Sequence, residues 1–168
     1  MFGTGEHGAF IVPYNKNCSS EESLAREKHY MEPFEHNVAP AEGHEIRVAA
    51  SLMHFSKQME TIIESLDPVK IVRLGGAGNK AVHIALNEVD TYMHPSPGLR
   101  YWDLCAPESL AKAMGGYAEN LYQERLTYPV SGDTKIRGLI LSKNPPMYSE
   151  IKKRMGEVLE NIRTTVKL

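Results

Sequence analysis

The chain has 168 residues and carries 19 Lys and Arg against 21 Asp and Glu, a formal net charge of −2. That balance lacks the basic footprint of a protein that grips nucleic acid through its phosphates, so no nucleic-acid partner is expected. Hydrophobic residues are 42% and charged residues 24%, which supports a packed core rather than global disorder, and no apolar run approaches the ~18 residues of a membrane span.

Residues 1–44 read as an N-terminal strand plus a polar insertion. Gly3, Gly5 and Gly8 lead into the apolar run Ala9-Phe10-Ile11-Val12, which Pro13 stops. A polar stretch with Pro33 and Pro40 follows, and inside it Ser19 and Glu22 have capping-box spacing ahead of a short helix near Leu24. The first residues show no basic segment followed by an apolar one, so no secretory leader and a cytoplasmic location are expected. Cys18 and Cys105 form no CxxC pair, which argues against a disulfide framework or a zinc ribbon.

From residue 45 to 168 the pattern is that of an α/β domain. Ile46-Arg47-Val48-Ala49-Ala50 reads as a strand. Ser56 then caps a helix with Met59, Ile62, Ile63 and Leu66 on one face, and Asp67-Pro68 stops it. Val69 to Leu74 is the next strand. Gly75-Gly76-Ala77-Gly78-Asn79-Lys80 turns the chain into a helix from Ala81 to about Leu86. Thr91-Tyr92-Met93 is a short strand, Asp103 opens a helix running to Met114, and Gly115-Gly116 ends it. Leu126 to Tyr128 and Leu139 to Leu141 read as strands. A last helix spans Tyr148 to about Thr164, with Ile151, Met155, Val158, Leu159 and Ile162 inward. Strands alternating with helices predict a mixed sheet flanked by helices.

Four features bear on chemistry. Gly3-Thr4-Gly5-Glu6-His7-Gly8 matches GxGxxG, but no strand precedes it and Pro13 follows too soon for a helix, so a dinucleotide site is not expected. The Gly75–Lys80 turn lies between a strand and a helix, where backbone amides and a lysine can face an anion, although such glycines also serve tight turns. Asp103 sits at a helix start, either as an N-cap or as a carboxylate for a hard cation. His54 follows a strand end, where α/β folds bind ligands, although a loop histidine in that place also serves simply as a solvated or structural residue. Cys105 has no evident base and reads as a buried packing residue.

Ser51-Leu52-Met53-His54, Arg73-Leu74-Gly75-Gly76-Ala77-Gly78-Asn79-Lys80 and Tyr101-Trp102-Asp103-Leu104-Cys105-Ala106-Pro107-Glu108, with Gly115-Gly116 after them, together resemble the 3'(2'),5'-bisphosphate nucleotidases. These belong to the magnesium-dependent phosphatase superfamily that includes inositol monophosphatase. The resemblance covers roughly residues 45–142 and implies the C-terminal half of that αβαβα fold. It further implies that Asp103 binds Mg2+ and that Ser51, His54, Gly76 and Lys80 contact a nucleotide bisphosphate. The implied reaction is attack of a metal-activated water on the 3'-phosphate of adenosine 3',5'-bisphosphate, releasing AMP and phosphate.

The family's Glu-Glu and Asp-Pro-Ile/Leu-Asp-Gly/Ser-Thr segments, which supply most metal ligands, do not occur here. Asp67-Pro68-Val69-Lys70 begins like the second but lacks its second Asp and its Thr. Residues 14–40 look like an insertion, and Gln123 stands where the family often has a hairpin glycine. No residue of this chain is therefore assigned a catalytic role, and one aspartate is too few for a pair of Mg2+ ions. Four readings stay open: part of a larger nucleotidase completed by the family's N-terminal half or by self-association, a non-catalytic nucleotide-binding module, half of an inositol phosphate phosphatase, or a purely structural half-domain.

Overall fold

The computed structural model describes residues 2–4, 8–11, 29–35, 37–53, 55–122, 124–128 and 130–165. Strands β1 (Phe2–Thr4), β2 (Gly8–Ile11) and β3 (His29–Met31) form an antiparallel sheet in that order. A five-stranded sheet follows, built from β4 (Ile46–Ser51), β5 (Val69–Leu74), β6 (Thr91–His94), β7 (Tyr117–Glu119) and β8 (Leu139–Ser142) in the order β5-β4-β6-β8-β7. β4 runs parallel to β5 and β6, whereas β8 is antiparallel to β6 and β7. The sheet is mixed.

The helices are α1 (Lys57–Ser65), α2 (Ala77–Ala85), α3 (Tyr101–Ala113), α4 (Pro145–Met155) and α5 (Glu157–Thr165). Alternation along the strands divides the core. Val48, Ala50, Met93 and Ile140 pack with Met59, Ile62, Ile151 and Leu159 of α1, α4 and α5. Ala49, Tyr92, Leu139 and Leu141 face Ala81, Ile84, Leu104 and Ala111 of α2 and α3. The far side of the α2–α3 pair is apolar too, and Ala85, Leu110 and Ala113 meet Ala9 and Met31 of the small sheet. Four layers result, in the order sheet, helix pair, sheet, helices.

At the amino edge of the large sheet, Asp90 is fully buried. Its carboxylate accepts from Arg47 Nη2 at 2.7 Å and Nε at 3.0 Å, from the Arg47 amide at 2.9 Å, and from Lys143 Nζ at 2.7 Å. His44 Nε2 lies 3.1 Å away. Burial pushes this carboxyl up, but the hydrogen bonds from Arg47 and Lys143 outweigh it and hold it well below the usual carboxylate range. The cluster ties the start of β6 to β4 and to the end of β8.

Several elements differ from the sequence expectation. α2 begins at Ala77 rather than Ala81, because Gly76 serves as its N-cap and the first helical turn tolerates Gly78. The last helix is two helices, since Gly156 at φ 45° ends α4 where the apolar periodicity runs straight on. Leu126 to Tyr128 forms no strand. Its side chains anchor the segment instead: Leu126 packs on the α2–α3 core and the Tyr128 hydroxyl donates to Glu108. Strands β1, β3 and β7 were not anticipated. The expected helix near Leu24 and Gln123 lie outside the described residues, as do residues 5–7 of the GxGxxG match, whose flanks Thr4 and Gly8 pair across β1 and β2.

Cys105 is exposed rather than buried, because α3 turns Trp102 and Cys105 to solvent while Leu104, Pro107 and Glu108 face inward. Asp103 is the third residue of α3 and not its N-cap. The capping position is Arg100, and the Asp103 carboxylate reaches back to accept the Arg100 amide at 2.8 Å.

Candidate functional site

The parallel strands β5, β4 and β6 end side by side, and the chain leaves that edge into α2, α1 and the loop before α3. A cavity of about 760 Å3 opens there, lined by Ser51 from β4, by Gly76, Ala77 and Lys80 from the turn into α2, and by His94 at the end of β6 and the segment from Pro95 to Leu99 after it. This is the edge at which open α/β sheets take ligands, since each connection opens a crevice there.

The two helix starts at this edge are capped differently. Ser56 Oγ accepts from the Met59 amide at 3.2 Å, so α1 is closed by its own side chain. Gly76, at φ 70° and ψ 139°, offers no side chain to cap α2. The amides of the first α2 turn carry the partial positive charge of the helix terminus at the edge of the cavity. A Cβ placed on Gly75, Gly76 or Gly78 would meet nothing within 4 Å, so these glycines leave space rather than allowing close packing. Gly76→Ala is expected to destabilise the fold by about 1–3 kcal/mol through backbone strain alone. Thermal melting checks this, and Gly75→Ala, which has ordinary φ, should melt close to the parent.

Lys80 is the polar centre of the cavity. It is 3% exposed, its Nζ donates to the Gly76 carbonyl at 3.2 Å, and the ammonium sits 4.8 Å from the centre of the Tyr92 ring. Burial lowers its pKa. No carboxylate pairs with it among the described residues, so the charge is held by one carbonyl and one ring face, which leaves it short of partners. Tyr92 stays a neutral phenol, because burial first and the nearby Asp103 charge second push its pKa up.

Of the residues expected to act, the structure brings Ser51, Gly76 and Lys80 to one cavity. Asp103 does not line the cavity; it is half-buried and close enough for its charge to act on Tyr92, with one carboxylate oxygen engaged by the Arg100 amide. His54 lies outside the described residues. The sequence reading missed Phe55, Ser56, Tyr92, His94 and Ser96, all of which line the cavity. His94 was within reach of the strand-end rule, because it is the last residue of β6. Among the described residues no three His, Cys, Asp or Glu side chains converge to hold a metal ion, and no helix is long and apolar enough to cross a membrane.

A sequence profile described as the Inositol monophosphatase family matches residues 5–155. The chain belongs to that family. Rat 3'(2'),5'-bisphosphate nucleotidase 1 is 35% identical over 95 residues, 56% of this chain and 30% of that protein. The human protein of the same name is 33% identical over 95 residues, with the same shares covered. Among solved structures, Staphylococcal IMPase-II superposes with a TM-score of 0.63 at 16% identity, covering 83% of this chain and 53% of that one. CysQ from Bacteroides thetaiotaomicron gives 0.55 at 21% identity, over 82% and 51%. The inositol monophosphatase family fold is thus shared over most of the chain. The chain spans less than a third of the curated relatives it matches and about half of the solved structures.

Proposed function

We propose that this chain is the nucleotide-binding part of a Mg2+-dependent phosphatase acting on 3'(2'),5'-bisphosphate nucleotides, and that it works only with a second part of that enzyme. The observation that carries this reading is the buried Lys80 ammonium, held by a single carbonyl beside uncapped helix amides in a cavity of about 760 Å3. The named relatives support the substrate class, being 3'(2'),5'-bisphosphate nucleotidases. In this reading Lys80 and the first turn of α2 bind a phosphate, Ser51 and His54 contact the nucleotide, and Tyr92 stays protonated as a hydrogen-bond donor.

The donors among the described residues do not fit a catalytic pair of Mg2+ ions. No three candidate ligands converge, and Asp103 contributes one carboxylate whose second role is to cap α3. Mg2+ prefers several hard oxygen ligands with regular geometry. The metal in this proposal is held jointly by Asp103 and by carboxylates from the enzyme's other part. This chain's own share is to bind and orient the phosphate. The same shortage of ligands favours the second reading, a nucleotide-binding module without catalysis.

The test is phosphate release from adenosine 3',5'-bisphosphate by the chain in Mg2+, run beside calorimetric binding with and without the metal. We expect binding without Mg2+ and no release by the chain alone, with release appearing once the family's N-terminal half is added. Release by the chain alone that vanishes in Asp103→Ala would overturn the need for a second part. Continued silence with that half present favours the non-catalytic module, and absence of binding overturns the phosphate site.

A further inference from the structure

The cavity crosses the carboxyl edge of the large sheet, and its two ends differ in chemistry. Strand alternation puts Ser51 and Tyr92 toward α2, where Lys80 lies, so the lining at that end is polar and cationic. On the opposite face, toward α1, the lining is Met53, Phe55, Met59 and Met93. Met59 belongs to the core cluster of that face and Phe55, partly buried, packs against it. Arg73 alternates to the same side, opposite Val72 and Leu74. Its Cζ lies 3.8 Å from the centre of the Phe55 ring, a close cation–π stack that holds the ring at the cavity wall. Met53 is 81% exposed at the mouth.

This end suits a flat, π-bearing group and not a polyol. Thioethers and aromatic carbons pair with few of the many hydroxyls of a polyol, and the two serines at this wall are too few to satisfy the rest, which is costly once water is excluded. A nucleobase instead presents a face that stacks on an aromatic ring or a guanidinium plane, and polar edges that can meet the Ser56 and Ser96 hydroxyls, 3.4 Å from each other at the same wall. We infer that Phe55, backed by Arg73, is the shelf for the base of the substrate, and that it selects nucleotides over base-free phosphomonoesters. The inference rests on the phosphate site at Lys80, with the sugar bridging the sheet edge between the two.

The experiment measures affinity of the full chain for adenosine 3',5'-bisphosphate and for the matching abasic sugar bisphosphate, which keeps both phosphates. Phe55→Leu preserves apolar packing and removes the π face; Phe55→Trp restores it. The parent and Phe55→Trp should bind the nucleotide at least tenfold more tightly than the abasic compound. Phe55→Leu should lose ~tenfold on the nucleotide and nothing on the abasic compound, in keeping with the usual worth of one base–aromatic stack. The added tryptophan should also be quenched by the nucleotide and not by the abasic compound. An unchanged nucleotide affinity in Phe55→Leu overturns the shelf, as does an equal loss on both ligands or a parent without preference. A parent that binds neither ligand removes the phosphate site as well, which separates the two failures.

Discussion

Lys80→Met is expected to weaken binding of adenosine 3',5'-bisphosphate by roughly 10- to 100-fold, the worth of one charge-assisted hydrogen bond of about 1.5–3 kcal/mol. The reason is location rather than charge count. Lys80 is a 3% exposed residue and the hydrogen bond of its ammonium goes to a neutral carbonyl, so a phosphate bound there would meet a cation that water screens little. Methionine has a similar unbranched reach without the desolvation burden, so the variant should melt at or above the parent temperature. Calorimetry and melting together check this: affinity lost with stability kept identifies a binding group, whereas both lost together would make Lys80 a packing residue. Because burial lowers the Lys80 pKa, parent affinity should also fall as pH rises toward the ordinary lysine value, earlier than for an exposed lysine. The Met variant should lack that fall.

Asp90→Asn should be strongly destabilising, by about 3–5 kcal/mol, since it leaves Arg47 and Lys143 facing a neutral amide in a buried place. The acid limb of stability follows from the same carboxylate. Its folded pKa is depressed below the unfolded one, so the unfolded chain takes up a proton first as pH falls. The contribution is complete at neutral pH and declines as pH drops below about 4, the ordinary carboxylate value. Denaturant titrations at pH 7 and near pH 3 should show the parent losing stability and Asp90→Asn losing less of it. Equal acid sensitivity would place the acid-labile group elsewhere. The cluster lies at the amino edge of the sheet, away from the cavity, so at pH 7 the folded variant should bind nucleotide as the parent does.

Much of the candidate site was legible because its residues follow strand ends directly. Ser51 is the last residue of β4, and the turn at Gly75 and Gly76 follows β5 at once. Wherever strands are parallel, their ends gather without further information. Phe55 and Tyr92 were not legible as site residues. An aromatic beside a capping serine and another inside a strand both read as core, and both do pack on core clusters. What puts them at the cavity is the position of Lys80 and Arg73, which come from other elements.

Local patterning by itself determined four of the five strands of the large sheet, β4, β5, β6 and β8, together with the periods of its helices, the Ser56 cap, the stop at Pro68 and the glycine turn. Each of these depends on neighbours within about four residues, the range over which backbone propensity and capping act. Family membership was determined there as well, in the segments around Gly76 and Asp103. The tertiary structure alone decided three other things. It turned Cys105 outward, because which face of α3 is buried depends on the sheet below and the small sheet above. It made Asp103 reach back to Arg100 once that residue was fixed by pairing with Lys135. And it left Lys80 buried with one carbonyl for company, a shortage that no stretch of sequence displays because it is defined by what the rest of the fold fails to bring near.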